Sequence, residues 1–396
     1  VSPLGTLSVI RKNNKVEMAF CALQKIISPI TVYAGDSVLY KELFELDVLE
    51  TWKKSIELND PTLNLKVVIG DNELIWSDTP EDNNLNRPVM FPENFDWNSV
   101  YGKYVNGEQL INQKMYTKAE KMFRDCLQQD PYYLPALIKM ASLCYRTSRY
   151  NDALSFARQS LSMDTYNGEA NYLYGLINKK MDNLTDAKDG FSVASYSQGY
   201  KTSAYSMLAQ CFLYEKNWQK AIHYASKSLE SNPKNFDAIQ SLLVAYRYSG
   251  NNFEAKKLIA SVEKELPLNH YLRYEACLQS NDPDRLKVFS SMIRSELPFE
   301  TYQEIGGWYE AINCTEEAFH LFSLASDHPI ALYRSAFILN QLGKEADAKE
   351  MLKKAELLSP DFVFPFRSEE LNALEWAVSE TNSWKSRYYT ALLYWS

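Results

Sequence analysis

Residues 119–131 read Ala-Glu-Lys-Met-Phe-Arg-Asp-Cys-Leu-Gln-Gln-Asp-Pro, and residues 221–233 read Ala-Ile-His-Tyr-Ala-Ser-Lys-Ser-Leu-Glu-Ser-Asn-Pro. In both, an alanine is followed by a small residue seven positions on and a proline twelve positions on. The alanine recurs at 119, 153, 187, 221 and 255, a step of 34 residues taken four times. Twelve positions before it stand Gly107, Ala141, Gly175, Ala209 and then Leu243; seven after it stand Cys126, Ser160, Ala194, Ser228 and Val262. Each alanine lies in an amphipathic stretch, so the small residues recur where two helices must approach closely. Phe123, Phe191 and Ile259, with Leu110, Phe212 and Tyr246 on the preceding helix, are placed to fill the space between neighbouring hairpins. Pro131, Pro233 and Pro267 stop the second helix, because proline lacks the N–H and fixes φ.

The spacing and the residue sizes resemble the tetratricopeptide repeat. The resemblance implies a mainly α protein, a right-handed tetratricopeptide-type α-solenoid. Five units in register occupy 98–267. Degenerate helical repeats follow over 268–396: Ala318 with Gly306, Phe322 and Ala325 marks one unit, and Ala348 with Ala336, Leu352, Ala355 and Pro360 another. One further step of 34 beyond Ala255 lands on Phe289, and an irregular pair is expected at Asn269–Gln279 and Asp282–Ser295. Two more helices are expected at Ser368–Ser379 and Ser383–Trp395. The last reads like the first helix of another repeat, and residue 1 is Val, so both ends of the chain read as cut.

Before the repeats the period is two. Candidate strands at Thr6–Arg11 and Lys15–Leu23 flank Asn13-Asn14, and Ile30–Ala34 and Ser37–Leu46 flank Gly35-Asp36, which are hairpin signals. With Trp52–Leu58, Leu65–Ile69 and Glu73–Ser77 they predict a small N-terminal β-sandwich over 1–80. A polar, Pro-bearing connecting strap occupies 81–97, with Pro88 and Pro92 ordering it and Met90, Phe91, Phe95 and Trp97 too apolar to be left in water.

The strap ends in Phe-Asp-Trp-Asn (95–98), and the repeats are followed by Phe-Pro-Phe-Arg-Ser-Glu-Glu-Leu (364–371), Leu-Glu-Trp-Ala (374–377) and Arg-Tyr-Tyr (387–389). This order resembles the C-terminal portion of a family of long, largely uncharacterised bacterial proteins. In that family a larger, mutarotase-like β-sandwich domain of unknown function precedes the repeats. A soluble bacterial protein is expected; the sequence leaves its compartment open, the cytoplasm slightly favoured over the periplasm. The resemblance also implies an alternative role, as the accessory C-terminal region of a larger carbohydrate-active protein whose catalytic part lies upstream. No family catalytic residue maps onto this chain.

Composition narrows the function classes. The chain of 396 residues is 46% hydrophobic and 23% charged, which fits a folded protein. Its length calls for more than one core or a repeat array. With 42 Lys and Arg against 50 Asp and Glu the formal charge is −8, so no general basic field attracts nucleic acid. No apolar run is long enough to span a bilayer. The cysteines at 21, 126, 144, 211, 277 and 314 are too scattered for a zinc or disulfide framework and read as small buried hydrophobes. Phosphate-loop, dinucleotide, nucleophile-elbow and HExxH patterns are missing, so no catalytic residue, cofactor or metal is expected. Glu316 and Glu317 precede His320 in helical phase, but a metal needs three or four converging ligands. The adjacent pairs Glu316-Glu317 and Glu369-Glu370 point about 100° apart and read as solvated first-turn residues.

The concave face is the better candidate. In the repeat resembled, the first helix of each hairpin lines the groove, and those positions here hold Tyr101, Tyr104, Lys139, Tyr145, Arg146, Tyr172, Lys179, Lys180, Tyr214, Arg247 and Tyr248. Ser142, Ser206, Glu108 and Glu169 share the face. Tyr and Arg supply binding hot spots, which points to a non-enzymatic protein-interaction or scaffold module taking a protein or peptide segment, or the upstream part of its own chain. The Lys/Asn clamp that holds chaperone tails does not map: its positions carry Tyr104, Glu108, Lys139, Glu169 and Leu173 in one register, and Ile138, Ser142 and Leu173 in the next. A further expectation is self-association through Trp384, Tyr388 and Trp395.

Overall fold

In the computed structural model, which describes residues 2–58, 60–79, 91, 94–280 and 282–395, the period-two region becomes seven strands. β1 (Gly5–Lys12), β2 (Lys15–Ala22) and β5 (Thr51–Glu57) form an antiparallel sheet in the order β1-β2-β5. β3 (Ile26–Ala34), β4 (Ser37–Leu46), β6 (Leu65–Ile69) and β7 (Leu74–Ser77) form a second, in the order β4-β3-β6-β7. Alternation sends Val16, Met18, Phe20 and Ala22 to one side of β2, where they meet Ile30, Val32, Phe44, Leu65, Val67 and Ile69 of the other sheet in one core. The Phe44 ring lies 5.5 Å from Phe20 and 5.9 Å from Trp52, bridging the two sheets of this small sandwich. Asn13 and Gly35 take positive φ in the expected hairpin turns.

β3 begins at Ile26, four residues before the expected start, with Pro29 inside it. The proline is tolerated because the ladder to β6 begins only at Ile30↔Ile69, while Pro29 pairs with Leu43 of β4. Its carbonyl accepts from Gly70 N–H, so its nitrogen faces the side where no ladder bond is lost. This unit spans Val1–Phe95 and the helical unit spans Asp96–Ser396. Of the stretch expected as a strap, 81–90 and 92–93 lie outside the described residues; Phe91 and Phe95 belong to the first unit, their rings 4.6 Å apart.

The helical unit is built of hairpins: α1 (Val100–Asn112) with α2 (Tyr116–Gln129), α3 (Leu134–Arg146) with α4 (Tyr150–Met163), α5 (Gly168–Lys180) with α6 (Leu184–Ala194), α7 (Lys201–Tyr214) with α8 (Trp218–Ser231), and α9 (Phe236–Tyr248) with α10 (Asn252–Val262). A short pair follows, α11 (His270–Leu278) and α12 (Arg285–Ser291), then α13 (Pro298–Ala311) with α14 (Thr315–Ser323) and α15 (Pro329–Gln341) with α16 (Glu345–Leu357). A 3₁₀ turn at Ser368–Glu370 leads into α17 (Leu371–Thr381), which packs on α15, and α18 (Trp384–Trp395) packs on α17.

Every full hairpin turns in the same way. Five positions before the marker alanine the chain is left-handed, at Lys114, Ser148, Asp182, Lys216, Gly250, Asn313 and Gly343. The next N–H reaches back to the first helix: Met115 to Leu110 O, Arg149 to Cys144 O, Asn183 to Asn178 O, and likewise in the other four, at 2.8 or 2.9 Å. This is the Schellman ending, which satisfies carbonyls left open at a helix C-terminus. Because each turn uses the same number of residues, the 34-residue step in sequence becomes a step in space.

The small residues do what their spacing predicted. An added Cβ at Gly107, Gly175 or Gly306 would lie 2.5 or 2.6 Å from the ring of Phe123, Phe191 or Phe322. Where the aromatic is replaced by Ala157 or Ala225, the facing position is Ala141 or Ala209, and Leu243 shares a core cluster with Ile259. The degenerate pair is shorter than expected: α12 stops at Ser291, and Phe289 is buried with α13 and α14 residues. One core cluster consequently runs from Phe212 on α7 to Ile338 on α15.

Candidate binding cavity

The first helices converge on a cavity of about 890 Å³. Its walls are the C-terminal ends of α3 and α5 with the turns that follow them, Met207 and Tyr214 of α7, and Gly307, Glu310 and Ala311 of α13. Ser368, Glu369, Leu371, Asn372 and Glu375 close one side. That closing segment is anchored: Lys180 Nζ donates to Ser368 Oγ at 3.4 Å across 188 residues, and Arg367 pairs with Glu300 of α13 at 2.6 Å. Glu370, buried, accepts the backbone N–H groups of Phe366 and Arg367 at 3.1 and 3.2 Å and so holds the bend.

Of the residues placed on the groove by repeat position, Tyr145, Lys179, Lys180 and Tyr214 line this cavity. Burial pushes the Tyr145 hydroxyl up to about 12, and its ring lies 5.9 Å from Tyr150. Lys179 Nζ donates to Gln210 Oε1 at 3.1 Å, and burial lowers its pKa, with the Lys180 charge adding to the effect.

The other seven lie elsewhere. Tyr104 packs on Tyr133 and Phe123, and Tyr172 on Phe191 and Tyr200. Lys139 sits between Glu108 and Glu169, at 3.5 and 3.4 Å. Arg146 is exposed, its guanidinium over the Tyr116 ring, and Tyr101 is exposed on α1.

Arg247 and Tyr248 are tied up by other side chains of the helical unit, although Tyr248 stays exposed at its edge. Arg247 pairs with Glu275 at 2.9 Å and Glu317 at 2.8 Å; Tyr248 donates to Glu317 at 2.6 Å and stacks on Trp218. Tyr309, buried, donates to Glu275 at 2.5 Å, and burial followed by the Glu275 charge holds its hydroxyl well above the ordinary range.

This corrects the reading of the glutamate pairs as solvated: Glu316 and Glu369 are exposed, but Glu317 and Glu370 are buried. Neighbours about 100° apart on a helix end take one inward and one outward place. His320 Nδ1 meets the Tyr274 hydroxyl at 3.3 Å, so the Glu317–His320 stretch is used in packing. Among the described residues no group of three or more His, Cys, Asp or Glu is arranged to hold a metal, and no helix is long and apolar enough to cross a membrane. Five cysteines are buried and Cys21 is partly so, all free. Trp384, Tyr388 and Trp395 are exposed on α18.

The helix that carries the wall at 368–375 was expected, but its place on the cavity was not, because that place depends on contacts nearly 190 residues apart. Arg149, which lines the cavity while paired with Glu120, and Glu310 carried no repeat signal: the first lies in a hairpin turn, the second in the degenerate region.

Residues 330–362, covering α15 and α16, match the tetratricopeptide-repeat family model. The helical unit is a tetratricopeptide-type solenoid. Similar solved structures include PilW, a type IV pilus biogenesis factor (17% identity, 50% of this chain and 94% of that one, TM-score 0.45). A tetratricopeptide repeat protein from Parabacteroides merdae aligns at 12% identity over 70% of this chain and 98% of that one, TM-score 0.44. YrrB, described as having an unusual peptide-binding site, aligns at 17% over 45% of this chain and 91% of that one, TM-score 0.40. None of the curated proteins matches this chain.

Proposed function

We propose that this protein is a non-enzymatic interaction module that receives a protein segment in the cavity between the first helices of its solenoid. The observation that carries the reading is the cavity itself, about 890 Å³, lined by half-buried Tyr145 and Tyr214 with Lys179 and Lys180. Its size is in the range of binding sites, and its tyrosines offer contact area at low entropy cost.

The test is capture of a partner from the lysate of the source organism, followed by mass spectrometry. Tyr172 and Arg247 are unsuitable positions for it, since both pack internally and their loss would test folding. Asn372 is exposed on the cavity wall, so Asn372→Trp puts bulk into the cavity and removes no buried contact. A partner held by the natural chain and lost by Asn372→Trp supports the reading; equal capture by both overturns it.

A further inference from the structure

The basic side chains of the groove differ in what they already hold. Lys139 and Arg247 each have two carboxylates, and Arg146 rests on Tyr116. Among the described residues Lys179 and Lys180 have only neutral partners, the amide oxygen of Gln210 and the hydroxyl of Ser368, and neither has a carboxylate within ion-pair distance. Both are half-buried and both line the cavity. An ammonium drawn partly out of water without an anion is costly, so the pair presents an unmet demand for negative charge.

The carboxylates that reach the cavity do not meet that demand. Glu310 is committed to buried Arg334. Asp152, Asp182, Glu369 and Glu375 are exposed at the edge and have no ion-pair partner among the described residues, Glu375 accepting the Tyr394 hydroxyl. The cavity therefore has a basic floor and an acidic rim. A polyanion would be repelled by the rim, and a purely basic segment would leave the floor unpaired; opposite charges must arrive in the right order.

We propose that the cavity takes a protein segment carrying one acidic side chain flanked by basic ones, the acid on Lys179 and Lys180 and the flanks against the rim carboxylates. The proposal rests on the reading above that the cavity is where the protein binds, and adds the charge pattern of what it binds. Gln210 and Ser368, already bonded to the two lysines, fix their heads; Tyr145 and Tyr214 supply the flanking surface.

Calorimetric titration of the full chain with four blocked pentapeptides tests it: Ac-Ala-Lys-Glu-Lys-Ala-NH2, its Gln-for-Glu form, its form with both Lys replaced by Ala, and Ac-Ala-Lys-Lys-Lys-Ala-NH2. The first is expected to bind most tightly, each of the others weaker by about tenfold or more, as expected for loss of a close charge pair. Lys180→Met should erase the preference for Glu over Gln, with the far-UV circular dichroism of the folded chain retained, and Glu369→Gln should reduce the preference for Lys over Ala with thermal unfolding unchanged. Equal binding of the Glu and Gln peptides, tighter binding of the all-Lys peptide, or no binding at millimolar concentration overturns the charge pattern. If that happens while Asn372→Trp still abolishes capture of a partner, the cavity reading stands alone. If the first peptide binds as expected but Asn372→Trp leaves capture intact, the cavity is a charge-patterned site and the partner binds elsewhere.

Discussion

At the scale of single residues, the repeat depends on backbone positions that side chains do not advertise. Seven hairpin turns pass through a left-handed residue, and only two of the seven are glycine, Gly250 (φ 77°) and Gly343 (φ 74°). The others are Lys, Ser, Asp, Lys and Asn, which accept the strain because the Schellman bonds and the packed hairpin hold them there. An added Cβ at Gly250 meets open space, so the cost of Gly250→Ala is backbone strain alone. We expect it to lower unfolding free energy by about 1 kcal/mol. Gly199→Ala is the control: its surroundings are equally open and its φ is not positive, so urea denaturation should show no loss. Equal effects at the two positions would argue against the strain account.

At the scale of the element, the two helices of a hairpin are matched by volume. Glycine faces phenylalanine at Gly107 and Phe123, Gly175 and Phe191, and Gly306 and Phe322; alanine takes both places in the second and fourth repeats. A Cβ at Gly175 would sit 2.6 Å from the buried Phe191 ring. Gly175→Ala is expected to cost about 1–3 kcal/mol from overpacking, and Phe191→Ala about 3–5 kcal/mol from the cavity it leaves. Together they recreate the Ala–Ala arrangement of neighbouring repeats. The double variant should be more stable than the sum predicts, by about 1 kcal/mol or more in denaturant titrations. Strict additivity would show that the two positions do not sense each other.

At the scale of the helical unit, the short α11–α12 pair draws later helices onto earlier ones. Arg247 of α9 reaches Glu317 of α14, and Asn313 donates to the carbonyl of Tyr214 across 99 residues. Arg247→Ala leaves Glu275 and Glu317 buried without their cation. The expected loss is about 3–5 kcal/mol of unfolding free energy, against about 0.5 kcal/mol or less for exposed Arg146→Ala. Similar values for the two would mean that the network does not hold the coil together.

What the sequence by itself determined is the local architecture. Period two over residues 15–22 and a 34-residue step from Ala119 to Ala255 are written in side-chain size and polarity, so strands, hairpins and their small-residue contacts were legible. The ends of α3 and α5 were legible for the same reason, and Tyr145, Lys179, Lys180 and Tyr214 fell on the cavity. What only the tertiary structure decided is which polar groups are spent. Arg247 and Lys179 occupy equivalent places on first helices, two steps of 34 apart, yet one is paired with two glutamates and the other meets only a glutamine amide 31 residues away. Burial and pairing depend on how successive repeats stack and on where the chain returns after Pro360. Those are sums of many long-range contacts, and no short window of sequence contains them.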